Sequence, residues 1–270
     1  MLIDSHCHLD TFVRSGELED VIARAELAGV GCFVCAGTDS DDWDVYKNLA
    51  ERFPGKIVYA VGLHPGNVGE DWEKQLDELP RYFRGNAKPV AVGEIGLDEH
   101  YMPKDPAEAE RIRALQRIVF ERQLALAKSH DLPVIVHARE AFEATVECID
   151  RSGIDWSKVV FHCFSENADA VRILNERGGR ASFTGTITYK SADNVREAAL
   201  AQGLNRLMLE TDCPYLAPCK LRGKRNEPAF MRQTAEFVAE LFGVSVNEIE
   251  SRSTANVRDF FPVLKLFYSK

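Results

Sequence analysis

Long apolar runs and basic charge are both scarce in this sequence. None of the apolar stretches in its 270 residues reaches the roughly 20 residues of a membrane-spanning helix, which excludes a helical membrane protein. The N-terminus has no basic region followed by an apolar run, so we expect no secretory signal. Lys and Arg number 33 against 42 Asp and Glu, and the net charge of −9 argues against sequence-independent coating of nucleic acid. A nucleic-acid substrate would have to be held locally.

The seven cysteines are odd in number and scattered, which favours reduced thiols in a cytoplasm over a disulfide framework. Cys32 and Cys35 form a CxxC pair inside the strand-like run VGCFVCAG. Residues three apart on a strand face opposite sides, so the pair is poorly placed to chelate one ion. Both cysteines are predicted to be packing residues.

Short apolar runs alternate with amphipathic segments along the whole chain, without a Pro- or Gly-rich linker. Eight such runs are each followed by a helical pattern. The predicted helices span residues 17–28, 41–52, 72–83, 107–129, 141–151, 168–176, 193–201 and 228–241. Eight strand–helix units predict an α/β protein, a TIM (β/α)8 barrel with a parallel sheet. A pattern over 246–261 predicts an extra C-terminal helix, and residues 1–270 are predicted to form a single domain.

Two histidines stand one residue apart at the end of the first apolar run, MLIDSHCHLD. Alternate residues of a strand share a face, so His6 and His8 project together and Cys7 turns away. Asp4 lies on the same face as the histidines. Paired imidazoles on one face are common ligand geometry, and the chain has only seven histidines. The motif predicts a metal site at the end of the first strand.

Ionisable residues follow most of the predicted strands at their carboxyl ends. In a TIM barrel these ends form the face on which active sites are built. The residues are His6, His8, His64, Glu94, His137, His162 and Asp212. Core packing does not explain so many metal-competent residues on one rim, which predicts a metal centre there. His130 instead lies at a helix end, where the helix dipole favours a cation, and is predicted to be structural.

Four imidazoles and two carboxylates exceed what one tetrahedral site needs. A two-metal site would use them, with one carboxylate bridging ions about 3.5–4 Å apart. Glu94, on the strand central to the set, is predicted to be the bridge. The other predicted ligands are His6, His8 and Asp212 for one ion, and His137 and His162 for the second. Two divalent ions are expected, and these donors suit zinc, manganese or nickel better than magnesium.

Seven motifs resemble, in their order, the TatD family of metal-dependent deoxyribonucleases. They are DSHCHLD, GLHP, GEIGLD, VIVHAR, FHCFS, ETDCPYLAP and RGKRNEP. The resemblance extends from the first strand to the last helices. It implies a TIM barrel, divalent metal ions and hydrolysis of phosphodiesters, usually from a DNA end. The family's metal ligands fall on the six residues already named, and His64 matches a histidine near the substrate phosphate.

The predicted mechanism follows from charge. Bound metal ions lower the pKa of a water towards neutrality and so supply hydroxide to attack phosphorus. The catalytic residues are predicted to be Glu94 and Asp212, with Asp212 accepting the proton of the water; a purely ligating Asp212 is the alternative. Negative charge on the phosphoryl oxygens needs cationic or hydrogen-bonding partners. His64 and Arg139 are predicted to contact them, unless Arg139 pairs with Glu140.

Four positive charges fall within six residues after the eighth strand, at Lys220, Arg222, Lys224 and Arg225. Such a run is ordinarily a solvated loop. Its place on the catalytic rim instead predicts contact with the phosphate backbone, with Lys224 and Arg225 binding substrate. Asn226 is predicted to cap the helix that follows.

Two rim positions depart from the family pattern, Glu99 after GLD and Glu166 after FHCFS. The charge of Glu99 favours short or non-nucleic substrates. Two other functions remain open: an amidohydrolase that cleaves a C–N bond of a small cyclic amide, and a non-catalytic binding barrel. Many two-metal amidohydrolases use a modified lysine as the bridge, so Glu94 and the basic loop favour phosphoesters. The predicted partner is DNA or another phosphodiester, with no membrane and no obligate protein partner.

Overall fold

Eight parallel strands follow one another around a single sheet in the order β1 to β8. The structure is a computed structural model that describes residues 1–267. The strands are Leu2–Cys7 (β1), Val30–Ala36 (β2), Ile57–Val61 (β3), Ala91–Asp98 (β4), Val134–Arg139 (β5), Val159–Phe161 (β6), Arg180–Phe183 (β7) and Met208–Leu209 (β8). At least one helix follows every strand, so the predicted TIM barrel is confirmed. The assignment of all residues 1–270 to one domain stays a prediction, since residues 268–270 lie outside the described part.

Eleven α-helices surround the sheet in the described part of the chain. They are Asp10–Arg14 (α1), Leu18–Leu27 (α2), Ser40–Arg52 (α3), Trp72–Glu78 (α4), Pro106–Ser129 (α5), Phe142–Ser152 (α6), Ala168–Arg177 (α7), Asp193–Gln202 (α8), Met231–Phe242 (α9), Val246–Phe260 (α10) and Val263–Phe267 (α11). None of these described helices has both the length and the apolar character to cross a membrane. All nine predicted helices are present, including the extra C-terminal one, α10.

Two predicted helix boundaries are wrong, and proline explains the first. Helix α4 ends at Glu78, and the 3-10 turn Leu79–Arg81 holds Pro80, whose missing N–H interrupts the α-helical pattern. Helix α9 begins only at Met231, after the 3-10 turn Pro228–Phe230. The five-residue helices α1 and α11 were not predicted, because so short a segment carries little periodicity.

Side-chain and backbone hydrogen bonds together close the seam between β1 and β8. Strand β8 has only two residues and pairs with β7, and no ladder joins it to β1 among the described strands. Ser5 Oγ donates to the carbonyl oxygen of Leu209 at 3.0 Å. The carboxylate of Asp4 accepts from Thr211 N at 2.9 Å and from Thr211 Oγ1 at 2.5 Å. Asp4 therefore holds the barrel closed, a role that its place on the ligand face did not predict.

The sheet separates two apolar layers, one inside the barrel and one between the sheet and the surrounding helices. In the inner layer, strand residues such as Ile3 and Val34 pack with Val257 and Phe261, which come from the last part of the chain. The outer layer lies between the sheet and the surrounding helices. Cys32 belongs to the inner layer and Cys35 to the outer one, and both are buried and outside any disulfide. The prediction that they are packing residues on opposite faces is confirmed.

Strands β4 and β5 approach so closely that only glycine fits at position 96. A Cβ atom there would lie 1.9 Å from the carbonyl oxygen of His137, and Gly96 has a φ of +146°. This contact sets His137 beside Glu94 at the catalytic end of the sheet.

Candidate metal centre

Four side-chain atoms from β1, β4 and the segment after β8 converge at one point of the carboxyl-end rim. They are His6 Nε2, His8 Nε2, Glu94 Oε2 and Asp212 Oδ1, and five of the distances between them lie from 3.1 to 3.6 Å. Ligands about 2.0–2.1 Å from a tetrahedral ion stand roughly 3.3–3.4 Å apart. The nitrogen and oxygen donors therefore fit one divalent ion in both chemistry and spacing.

A second set of atoms lies on the other oxygen of Glu94. Glu94 Oε1 stands 2.8 Å from His137 Nδ1 and 2.7 Å from His162 Nε2, and these two nitrogens are 3.4 Å apart. Its third neighbour, His64 Nε2, lies 3.3 Å away. The two oxygens of one carboxylate thus face two separate donor groups, which is the arrangement that a bridging carboxylate requires.

Hydrogen bonds to the outer ring nitrogens distinguish His8 from His64. His8 Nδ1 lies 3.0 Å from the carbonyl oxygen of Ala36, to which it donates, and this leaves the Nε2 lone pair for a metal. His64 Nδ1 instead accepts from Gly66 N at 2.9 Å. Its ring proton is therefore on Nε2, which faces Glu94. This tautomer makes His64 a hydrogen-bond donor towards the centre.

The buried charges of the centre stabilise one another. Burial alone would raise the pKa of Glu94, but the neighbouring imidazoles, His162 foremost, hold it well below its usual range. Burial opposes protonation of His8, yet Asp212 raises the pKa of this imidazole to about 9. Protons thus occupy places where a cation would bind, and a divalent ion would release them.

Two further carboxylates support the imidazoles, and the predicted ligand set omitted both. Asp98 Oδ2 accepts from His137 Nε2 at 2.9 Å, which orients that ring. Glu210 is fully buried, accepts from Cys163 N at 2.6 Å, and lies 3.6 Å from His162 Nδ1. The signal was present in the sequence, because GEIGLD places Asp98 four residues after Glu94, on the same strand face.

Three consecutive carbonyl groups, beginning with that of the last residue of β2, accept hydrogen bonds from three residues of the centre. The oxygen of Ala36 accepts from His8 Nδ1, that of Gly37 from Glu94 N at 2.7 Å, and that of Thr38 from His64 N at 2.8 Å. No sequence pattern marked this segment, since backbone carbonyls leave no trace in residue identity.

A cavity of about 1580 Å³ opens onto the centre. Eight carboxylates line it against three arginines, so a phosphate would meet net repulsion unless cations were bound. The acidic residues are Asp10, Asp39, Asp41, Asp42, Glu70, Glu94, Asp98 and Asp212, and the arginines are Arg14, Arg111 and Arg139.

The predicted substrate contacts divide into two groups. His64 and Arg139 line the cavity, whereas Lys224 and Arg225 are not among its lining residues. The guanidinium of Arg225 pairs with Glu17 at 2.6 Å. Their roles in substrate binding stay predictions.

Each of three charged residues beside the cavity, Arg139, Glu140 and Glu99, contacts a neighbouring side chain. Arg139 lies over the ring of Tyr101 at 5.1 Å, and Glu140 contacts His100 at 2.5 Å instead of Arg139. Glu99 pairs with Arg113 at 2.7 Å, which neutralises the charge that was expected to repel a phosphate chain.

The predicted helix cap at Asn226 is wrong. Its buried amide donates to the carbonyl oxygens of Thr211, at 2.9 Å, and Tyr215, at 2.6 Å. Asn226 therefore fixes the segment that carries Asp212. His130 ends α5, as predicted, with Nδ1 3.1 Å from the carbonyl oxygen of Leu126.

Comparison with known protein families identifies the family to which this chain belongs. The family described as TatD related DNase matches residues 3–262. The chain belongs to the TatD family. Its sequence is 35% identical over 265 residues to YabD, an uncharacterized metal-dependent hydrolase of Bacillus subtilis strain 168, covering 97% of this chain and 100% of that protein. The resemblance stated from the seven motifs is confirmed.

Two further similar proteins support the assignment to the TatD family. The human deoxyribonuclease TATDN3 is 32% identical, with 100% of this chain and 97% of that protein covered. The crystal structure of YJJV, a TatD homolog from Escherichia coli K12, superimposes with a TM-score of 0.87 at 32% identity, covering 97% of this chain and 98% of the other. The protein is thus a metal-dependent hydrolase of the TatD family.

Proposed function

We propose that this TatD protein hydrolyses phosphodiester bonds of DNA from a strand end with two divalent metal ions. The observation that carries the proposal is Glu94, whose two oxygens face separate groups of nitrogen and oxygen donors. His6, His8 and Asp212 would complete one site, and His137 and His162 the other. When bound, such ions activate water and stabilise charge on the attacking and leaving oxygens.

Asp212 is proposed to take part in the reaction beyond its place at the metal. Its Oδ1 belongs to the first donor group, 3.3 Å from His8 Nε2, which leaves the second oxygen for the proton of the attacking water. Asp212 adopts a left-handed φ of +53°, and its N–H donates to the carbonyl oxygen of His6 at 3.0 Å. Such backbone conformations often occur at active sites, where the surrounding structure holds them.

His64 and Arg139 are proposed to hold the phosphoryl oxygens. The Nε2–H of His64 is a donor 3.3 Å from Glu94 Oε1, beside the second donor group. Arg139 brings a permanent cation to a cavity that is otherwise rich in carboxylates. The nitrogen-rich donors support zinc, manganese or nickel over magnesium. The seven cysteines, none of which forms a disulfide, support a cytoplasmic location.

The test compares three substrates: an end-labelled single-stranded oligonucleotide, a dinucleotide and a dihydropyrimidine. Each is incubated with protein loaded with zinc or manganese, and with protein treated with a chelator. We expect both nucleotide substrates to be cleaved, the oligonucleotide from one end, and the chelator to abolish cleavage. The matched pair of variants is Glu94→Gln at the centre and Glu121→Gln at an exposed ion pair with Arg151. Only Glu94→Gln should lose activity.

Cleavage of the dihydropyrimidine with both nucleotide substrates intact would replace the proposal with an amidohydrolase. Cleavage of neither class by protein that holds two ions per chain would favour a binding barrel.

A further inference from the structure

Two exposed tyrosines stand out on the described part of the surface, which is otherwise poor in exposed aromatic side chains. Tyr101 is 80% exposed and Tyr215 is 62% exposed, and both line the cavity of the metal centre. The other exposed large apolar side chains of the described residues are aliphatic and lie outside the lining. They are Met1, Val13, Leu27, Ile118, Leu200 and Val263. Among the residues whose exposure is described, the exposed aromatic surface is therefore concentrated at the cavity, where a ligand would cover it.

Tyr215 is held rigidly beside the first donor group. Its N–H donates to the carbonyl oxygen of Asp212 at 3.0 Å, and its own carbonyl oxygen accepts from the buried amide of Asn226 at 2.6 Å. The centre of its ring lies 6.3 Å from that of His8. An exposed ring on a fixed backbone loses little conformational freedom when a flat partner stacks on it.

Tyr101 lines the cavity in contact with a cation that also lines it, Arg139. Its ring is covered on one side by the guanidinium of Arg139 at 5.1 Å and contacts the ring of His100 at 4.5 Å. His100 is in turn held by Glu140. This unit combines an aromatic face with a charge that suits a phosphate.

The order of the strands sets the two tyrosines on opposite sides of the metal centre. Tyr101 follows β4 and Tyr215 follows β8, which are four positions apart in an eight-stranded barrel. The cavity between them, about 1580 Å³, exceeds the roughly 300–1,000 Å³ of a small-molecule site. It is therefore large enough for more than one nucleotide.

We propose that Tyr215 and Tyr101 are stacking platforms for the two bases that flank the scissile phosphate of single-stranded DNA. This inference rests on the proposed function and names its substrate class. In a duplex both faces of each base are covered by its neighbours, whereas unpaired bases can stack on aromatic side chains without regard to sequence. The platforms would also offset the acidic lining of the cavity, since stacking does not depend on the net charge of the site.

The test uses Tyr215→Ala and Tyr101→Ala, with Tyr215→Phe and Tyr101→Phe as matched controls that keep the ring. Each variant is assayed on a short single-stranded oligonucleotide and on the same strand with abasic residues at the terminal positions. Stacking is worth about 1–3 kcal/mol per base, so each alanine variant should raise the Michaelis constant about 5- to 150-fold on the normal strand. The phenylalanine variants should stay within about twofold of the native protein, because they keep the aromatic face. On the abasic strand all variants should match the native protein.

Fluorescence anisotropy with metal-loaded protein, on the same labelled strands made with hydrolysis-resistant phosphorothioate linkages, measures binding separately from cleavage. If the alanine variants bind the normal strand more weakly than the native protein does, but bind the abasic strand equally well, the platforms are supported. This holds even if no strand is cleaved, in which case only the proposed function fails. Unchanged binding by both alanine variants would overturn the inference, as would equal losses on normal and abasic strands. In either of those cases, cleavage of both strands by the native protein would leave the proposed function intact.

Discussion

The two ends of the barrel are built from the same eight strands and have opposite characters. At the amino ends, apolar residues of the strands meet Val257 and Phe261 in a dry layer. At the carboxyl ends, imidazoles and carboxylates of the same strands converge within 3.6 Å of one another. One end gains stability from apolar burial, while the other holds charges whose burial costs free energy unless they are paired.

In this barrel, the apolar groups that stabilise the fold and the polar groups that form the metal centre lie at opposite ends. The helix that supplies the apolar plug, α10, is tied to the strands by Ser253 Oγ, which accepts from Leu209 N at 3.2 Å, and by Thr254 Oγ1, which donates to the carbonyl oxygen of Met1 at 2.9 Å. The charged end is held by carbonyl groups of the β2–α3 segment and by the carboxylates of Asp98 and Glu210. Substitutions at the two ends should therefore change different properties.

Glu94→Ala is expected to have the largest effect, and only at the charged end. It should lose both metal ions together, because Glu94 is the carboxylate that faces both donor groups, and activity should fall at least about 100-fold. The barrel should stay folded. Metal analysis of the purified variant, with circular dichroism to check the fold, is the measurement. Two ions per chain in the variant would rule out a bridging Glu94.

Phe261→Ala, at the apolar end, should lower the stability of the fold and leave the metal centre unchanged. Phe261 is fully buried, and removing a buried aromatic ring costs about 3–5 kcal/mol of the free energy of unfolding. Metal content and kcat should not change, since the cavity lies at the opposite end. Urea unfolding and metal analysis of the same preparation test both parts. A loss of metal in folded Phe261→Ala would show that the two ends are coupled.

Asp42→Asn should change the pH dependence of stability. Burial raises the pKa of Asp42 to about 7, although hydrogen bonds from Thr38 and the charge of His8 oppose this and Asp39 adds to it. The folded state keeps a proton that the unfolded state releases, so this contribution to stability is lost as pH rises from about 4 to 7. The substituted amide cannot titrate and keeps an oxygen for Thr38. The native protein should lose about 4 kcal/mol more than the variant between about pH 4 and 8.

Urea unfolding of chelator-treated protein at both pH values is the measurement for Asp42→Asn. Parallel pH dependences of the native protein and the variant would show that Asp42 is ionised throughout this range.

Neutralising Lys224 and Arg225 should have the smallest effect, because neither residue lines the cavity and Arg225 already pairs with Glu17. The double glutamine variant should raise the Michaelis constant for oligonucleotides a few-fold. If both cations contact a single strand, the slope of log affinity against log salt should fall by about 1.4. Hydrolysis of bis-p-nitrophenyl phosphate should stay unchanged. Equal losses on both substrates would mean that this loop shapes the metal centre itself.

Local pattern was sufficient for the architecture of this protein and for most residues at its charged end, but not for Asp98 and Glu210. Alternation of period two and the ends of eight apolar runs determined which side chains share a face, and so His6, His8, Glu94, His137 and Asp212 were named from sequence. The same reasoning separated Cys32 from Cys35. These properties depend on near neighbours along the chain, which a sequence displays directly.

Tertiary structure alone decided which partner each group meets. The pairing of Asp4 with Thr211, of Glu99 with Arg113 and of Arg139 with Tyr101 joins segments whose separation around the barrel no local pattern records. Proton placement on His64 depends on the N–H of Gly66. Contacts of this kind are set by distance and direction in space, and a backbone carbonyl or N–H is the same chemical group at almost every position of the sequence.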